Sequence, residues 1–151
     1  MSEIPLIAIV DDDAAVRTST KRLISSAGFR AEVFASAEDF LHAGQRQATA
    51  CLIIDVRMPR MSGLELQQQL NSANCPIPLI FITAHGDGET RTQALRAGAV
   101  AFLDKPLGEE ALLRAVHAAL QRSRGGGKGS PSLRQLVPVR AKGDQGYAQL
   151  E

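Results

Sequence analysis

The sequence predicts an α/β fold, a doubly wound five-stranded parallel sheet of (βα)5 organisation with helices on both faces. Three observations carry this. Short apolar runs alternate with segments of helical periodicity, the pattern of successive βαβ units. Three of the runs, "PLIAIV" at 5–10, "CLIID" at 51–55 and "PLIFIT" at 78–83, are continuously apolar, as strands covered on both faces must be. The most conspicuous polar residues, Asp11, Asp12, Asp55, Thr83 and Lys105, fall at or just past the carboxyl ends of such runs, where a doubly wound sheet opens its crevice.

The elements follow in order. After the first strand, Val16, Leu23, Ile24 and Ala27 repeat at helical spacing and Gly28 supplies a stop. "AEVF" at 31–34 is a short second strand, more peripheral than the first. Ser36 with Asp39 opens a short helix that Gly44 ends. The third strand, 51–55, leads to a stripe of Leu66, Leu70 and Ala73, and the fourth, 78–83, to the weakest helix, 87–98, whose apolar residues are mostly small. "VAFL" at 100–103 is the peripheral fifth strand. Leu112, Leu113, Val116, Ala119 and Leu120 mark the core face of the last helix.

A chain of 151 residues is long enough for one domain with a sizeable core. Its two cysteines, Cys51 and Cys75, lack the spacing of a disulfide framework or zinc site, and the sequence shows no leader or membrane span, so a cytoplasmic location is expected. Residues 1–122 carry 12 basic and 14 acidic side chains; residues 123–151 carry 5 and 2. Eight of the ten residues 123–132 are Gly, Ser or Pro, which is linker composition, and the remainder holds too few aliphatics for a second core. The expected division is a globular domain over 1–122 and a Gly/Ser/Pro-rich linker with a short basic tail over 123–151.

Three successive carboxylates, Asp11, Asp12 and Asp13, need something to offset them, because two unit charges about 4 Å apart repel by about 4 kcal/mol at an effective dielectric near 20. Asp13 is placed to cap the following helix and lies four residues before Arg17. Asp11 and Asp12, with Asp55, form a crevice floor suited to a hard divalent cation such as magnesium. Magnesium held in this way commonly partners a phosphoryl group, for which Lys105 and Thr83 offer an ammonium and a hydroxyl.

The motifs "IVDDD", "IIDVRMPRMSGLEL", "FITAHGD" and "AGAVAFLDKP", in this order and spacing over residues 5–122, resemble the receiver domains of two-component response regulators, especially FixJ-like regulators of nitrogen fixation. The resemblance implies the flavodoxin-like receiver fold and a signalling domain, not an enzyme in the ordinary sense, that assists its own phosphorylation and dephosphorylation. It implies that Asp55 accepts a phosphoryl group from a histidine kinase or phosphotransfer protein. Asp11, Asp12, Asp55 and the backbone carbonyl of Arg57 would hold Mg2+. Thr83 and Lys105 would contact the phosphoryl oxygens, Thr83 and Phe102 would form the switch, and the Lys105–Pro106 peptide would be cis. Pro59 and Gly63 are expected to shape the loop after Asp55, Gly63 by its backbone freedom. Ala84 leaves room above Asp55, and His85 is expected to be a bystander.

Two other readings are weaker. A haloacid dehalogenase-type phosphatase would use Asp11 as nucleophile with Asp13, but leaves Asp55 without a role. A truncated DNA-binding regulator would need more helices than the 19 residues past Ser132 provide. The expectation is therefore a free-standing receiver with no specific nucleic-acid or membrane binding, and with a homodimer favoured by phosphorylation.

Overall fold

The computed structural model describes residues 4–127. The elements run β1 (Leu6–Val10), α1 (Ala14–Ser26), β2 (Arg30–Phe34), α2 (Ala37–His42), a 3-10 turn (Arg46–Ala48), β3 (Thr49–Asp55), α3 (Gly63–Ser72), β4 (Leu79–Thr83), α4 (Gly88–Arg96), β5 (Ala101–Asp104) and α5 (Glu109–Gly127). All strands are parallel, in the order β2-β1-β3-β4-β5. The two strands expected to be peripheral are the edges. Every expected strand is present with its ends moved by two residues or fewer, and β3 begins earlier, at Thr49.

Strand alternation sorts the apolar side chains into two cores. Ile7, Ile9, Ile53, Ile80 and Ile82 pack with Ile24 of α1 and with Leu112, Val116 and Ala119 of α5. Ala8, Val10, Leu52, Ile54 and Phe81 pack on the opposite side with Phe40 of α2, Leu66 and Leu70 of α3 and Ala94 of α4. Nearly unbroken apolarity in the central strands therefore reflects burial on both faces. Cys51 lies within the first core, where burial pushes its thiol up to about 12, and both cysteines are free.

The helix ends follow local chemistry. Asp13, Ser36, Ser62 and Asp87 cap α1, α2, α3 and α4 with side-chain oxygens on free backbone N–H groups. Ser62 and Glu65 form a reciprocal capping box. Gly28 follows α1 with φ +95, a conformation in which a side chain is strained. Two details depart from expectation. Ala27 and Ala73 are exposed C-caps, outside the buried stripes. α5 runs through Gly127, five residues beyond the boundary expected at Arg122. The remainder of the expected tail, 128–151, lies outside the described residues.

α4 differs from the other helices. Ala94 is its one buried residue, and Leu95 is 41% exposed. Polar tethers hold it instead: Gln67 Nε2 donates to the Ala94 carbonyl at 3.0 Å and Asn71 Nδ2 to the Ala97 carbonyl at 3.1 Å. Both donors come from α3, and neither was singled out from the sequence.

Gly63 is needed for space. Its φ is not in the left-handed region, contrary to the expectation of special backbone freedom, but a Cβ there would lie 2.5 Å from the Asp55 carbonyl oxygen and 3.0 Å from the Phe81 ring. Gly63→Ala should therefore cost about 3 kcal/mol by forcing apart α3 and the end of β3. Gly28→Ala, which meets open space and suffers only backbone strain, should cost about 1 kcal/mol. Urea unfolding of the two variants measures the difference, and equal costs would remove the steric role assigned to Gly63.

Candidate functional site

At the carboxyl edge of the sheet the chain leaves β1, β3, β4 and β5 with polar residues that converge. Asp11 follows β1 and is fully buried; Asp55 ends β3 and is 6% exposed; Thr83 ends β4 and is 1% exposed. The Lys105 backbone N–H donates to the Thr83 carbonyl at 2.8 Å, which carries the β5 segment past Asp104 and sets the lysine side chain over the floor. The Lys105–Pro106 peptide is cis, as expected.

Lys105 Nζ lies 3.1 Å from Asp11 Oδ2 and 3.1 Å from Asp55 Oδ2. The contact with Asp55 is a hydrogen bond. The contact with Asp11 is an ion pair without hydrogen-bond alignment, so Asp11 Oδ2 is a buried oxygen with no hydrogen-bond partner among the described residues. The remaining oxygens are used locally: Asp11 Oδ1 accepts the Asp13 N–H at 2.8 Å and Asp55 Oδ1 the Arg57 N–H at 3.1 Å. Asp12 is exposed beside them. One oxygen from each of Asp11, Asp12 and Asp55 lies within 4.8 Å of the others. Hard oxygen donors in that number, one of them buried without a hydrogen bond, fit a divalent cation. The structure thus brings together Asp11, Asp12, Asp55 and Lys105, with Thr83 joined to Lys105 through its backbone carbonyl.

Burial is the largest influence on Asp11, raising its carboxyl above the ordinary range; the Asp13 N–H and the Lys105 ammonium oppose it, and Asp55 adds to it. Burial alone would lower Lys105, but the two carboxylates outweigh it and hold the ammonium above the usual lysine value. Lys105 therefore stays charged throughout the neutral range. At the rim, Thr90 N–H holds the exposed Asp87 carboxyl below the usual range.

Asp13 stands apart from the cluster. Its Oδ1 accepts from Ala15 and Val16 N–H groups, so it is the cap expected and is not available as the second acid of the phosphatase reading. Arg17 does not pair with it across the helix turn; its Nη1 donates to the Asp11 carbonyl at 2.7 Å, because the Asp13 side chain is turned toward the helix end. Thr83 Oγ1 accepts the His85 N–H at 3.2 Å, and Ala84 and His85 are exposed. Phe102 is 4% exposed and its ring centroid lies 6.2 Å from that of Phe81. Gly86, to which the sequence assigned no role, sits against this group: a Cβ on it would lie 2.8 Å from Phe102 Cε1 and 2.9 Å from Thr83 Cγ2.

Two outcomes test the floor. A carboxyl whose folded pKa exceeds its unfolded value favours folding at pH below the unfolded value, and that contribution is lost as pH rises through the folded one. At neutral pH ionised Asp11 is then a cost, and Asp11→Asn should raise the urea midpoint of the metal-free protein. Magnesium should raise the midpoint of the parent more than that of the variant, and equal midpoints at pH 7 without metal would contradict the assignment. Asp12→Ala should weaken magnesium binding in calorimetry at least tenfold, whereas Asp13→Ala should cost about 1 kcal/mol of stability and leave metal affinity nearly unchanged. Equal loss of metal by both would show that Asp13 is a ligand as well as a cap.

Comparison with known proteins agrees with the geometry. Residues 7–117 match the response regulator receiver domain family. Response regulator protein TodT of Pseudomonas putida is 49% identical over 116 residues, covering 77% of this chain and 51% of TodT. Transcriptional regulatory protein FixJ of Bradyrhizobium diazoefficiens is 36% identical over 134 residues, covering 89% and 65%. The solved structure of response regulator StyR superposes with a TM-score of 0.76 at 45% identity, covering 81% of this chain and 62% of that one. The chain thus spans about half the length of TodT and less than two thirds of the other two. A parallel sheet in the order 2-1-3-4-5, three carboxylates and a lysine at its carboxyl edge, and a family match across most of the chain lead to one conclusion: this chain belongs to the response regulator receiver domain family.

Proposed function

We propose that Asp55 accepts a phosphoryl group from the phosphohistidine of a histidine kinase or phosphotransfer protein, and that the resulting acyl phosphate is read out on the face made by α4, β5 and α5. The observation that carries this reading is the single ammonium of Lys105 shared at 3.1 Å by Asp11 and Asp55. Members of the family interact with histidine kinases, and the compact unit that ends at Leu120 contains every residue required.

In the transfer, an Asp55 oxygen bonds to phosphorus as the phosphorus–nitrogen bond breaks, and the electron pair returns to the imidazole nitrogen of the donor. Such a transfer is governed by positioning and charge neutralisation. Asp11, Asp12, Asp55 and the Arg57 carbonyl would hold Mg2+, which supplies charge neutralisation at the phosphoryl oxygens. Lys105 stays protonated and would face the same oxygens, and the Thr83 hydroxyl would donate to one of them. In this sense the domain assists its own modification. Exposed Ala84 at the rim leaves the approach free of a bulky side chain.

Readout on the α4 side follows from where Thr83 sits. Its methyl group meets the position next to Gly86 that Phe102 also borders, so a hydroxyl drawn toward a phosphoryl oxygen alters the space available to the ring. A homodimer favoured by phosphorylation would use this face. Residues 123–151 are proposed to be dispensable for phosphorylation. Among the described residues no helix is long and apolar enough to cross a membrane. TodT and FixJ are longer, and FixJ is named as a transcriptional regulator, so a DNA-binding output joined to the receiver is the second reading, beside a receiver that signals through its own surface.

Acetyl phosphate with Mg2+ should add one phosphate to the parent in intact-mass measurement and none to Asp55→Asn, and a chain ending at residue 122 should label at the parent's rate. Equal labelling of Asp55→Asn would move the acceptor elsewhere, and a silent shortened chain would tie the tail to the site.

A further inference from the structure

The two ends of α4 are held by different means. From Ala84 through Gln93 no residue is buried, and all but Thr90 are exposed. Burial returns only at Ala94, 0% exposed, and at Ala99 just past the helix, 5% exposed. The bonds from α3 are gathered at this same end. Gln67, itself buried, donates from Nε2 to the Ala94 carbonyl at 3.0 Å, and that carbonyl also accepts the Ala99 N–H at 3.1 Å. Asn71 Nδ2 donates to the Ala97 carbonyl at 3.1 Å, and the Val100 N–H joins the sheet on the Leu79 carbonyl at 2.8 Å. The first turns of α4 have contacts between exposed groups instead. Arg57 Nη2 lies 3.9 Å from Asp87 Oδ2 and Arg91 Nη2 3.7 Å from Asp104 Oδ2, while Arg91 Nη1 donates to the Phe102 carbonyl at 3.2 Å.

We infer that Gln67 is a pivot: when α4 moves in response to the acyl phosphate, it swings about its C-terminal end, so that its first turn travels while Ala94–Ala99 stays. The inference rests on the reading of Asp55 as phosphoacceptor and of α4 as part of the readout face. A swing keeps both bonds from α3 and the burial of Ala94 and Ala99, whereas a translation of the whole helix gives up all four. What a swing does break, the contacts of Arg57 with Asp87 and of Arg91 with β5, is exposed, so water replaces it at little cost. A leucine in place of Gln67 could fill the same space between the helices, but it offers no directed bond to fix the axis of the swing. The travelling end borders the segment that follows Asp55. A groove lined by Val56, Met58, Leu64 and Thr90 lies between them, and a swing widens or closes it.

Gln67 touches none of the reacting groups, so it is a positioning residue. The probe is beryllofluoride, a stable phosphoryl mimic, bound with Mg2+ to the full chain and followed by nuclear magnetic resonance. Residual dipolar couplings report the direction of each backbone N–H, so a swing turns α4 against the strands and a translation does not. In the parent, α4 should turn by about 10° or more on binding the mimic, and the Ala97 and Ala99 amides should shift far less than those of Thr90 and Arg91. In Gln67→Leu the shifts of Ala97 and Ala99 should grow about threefold or more, with Mg2+ affinity unchanged. Asn71→Ala, which loses only the exposed bond, should respond nearly as the parent does. Should Gln67→Leu fail to fold, Gln67→Met carries the same test, and the parent's couplings test the swing in either case. An unturned α4, or Ala97 and Ala99 amides that shift in the parent as far as those of Thr90 and Arg91, would overturn the swing. A folded Gln67 variant that responds as the parent does would overturn the pivot. A parent chain that binds Mg2+ but no beryllofluoride would instead overturn the phosphoacceptor reading beneath it.

Discussion

One charge arrangement organises this molecule: two buried carboxylates held by a single partly exposed ammonium at the end of a sheet. Asp11 and Asp55 arrive from adjacent strands, and Lys105 meets both at 3.1 Å. The site carries a surplus of negative charge that the protein itself does not balance, since exposed Asp12 adds a third carboxylate. An apolar core cannot absorb such a surplus cheaply. The fold tolerates it because β1 and β3 are fixed from both faces by Ile, Leu, Val and Phe side chains. The rigidity of those strands is what keeps the carboxylates close when repulsion would part them.

The two sides of the sheet are built differently around this centre. α1 and α5 rest on isoleucine, leucine and valine contacts, whereas α4 is attached by Gln67 and Asn71 from α3 and by Arg91 to β5. Hydrogen bonds of this kind contribute modestly, because water offers equivalents when they break. A helix attached in this way can be repositioned without opening the core. Gly63 and Gly86 show the same division. Gly63 lets α3 approach the Asp55 backbone, a contact with no slack, while Gly86 adjoins the Thr83 and Phe102 side chains that would have to move.

Much of this was legible in the sequence, and the parts that were not share a cause. Continuous apolar runs identified the three central strands, and the position of each acidic or polar residue at a strand end identified the crevice floor. Asp13 was readable as a cap because capping depends on neighbours within three residues. The spacing of Asp13 and Arg17 does not show that Arg17 bonds the Asp11 carbonyl, since that choice turns on where the cap side chain already points. Gln67, Asn71, Gly86 and Arg91 carry no local signal: Gln67 finds its acceptor 27 residues away, and Gly86 matters only through side chains on two other segments. The reason for Gly63 was likewise hidden, because a glycine that makes room and a glycine that adopts an unusual angle look the same in sequence.

The attachment of α4 has a thermal consequence. Apolar surface exposed or buried in a transition changes the heat capacity strongly, and the free energy of that transition then curves with temperature. α4 buries one alanine and exchanges mostly hydrogen bonds and ion contacts, so moving it carries a small heat-capacity change. The balance between its positions should therefore vary gently from cold to warm, whereas a helix seated on leucines would drift. A receiver read out through α4, as proposed, would keep its set point when the surroundings change temperature.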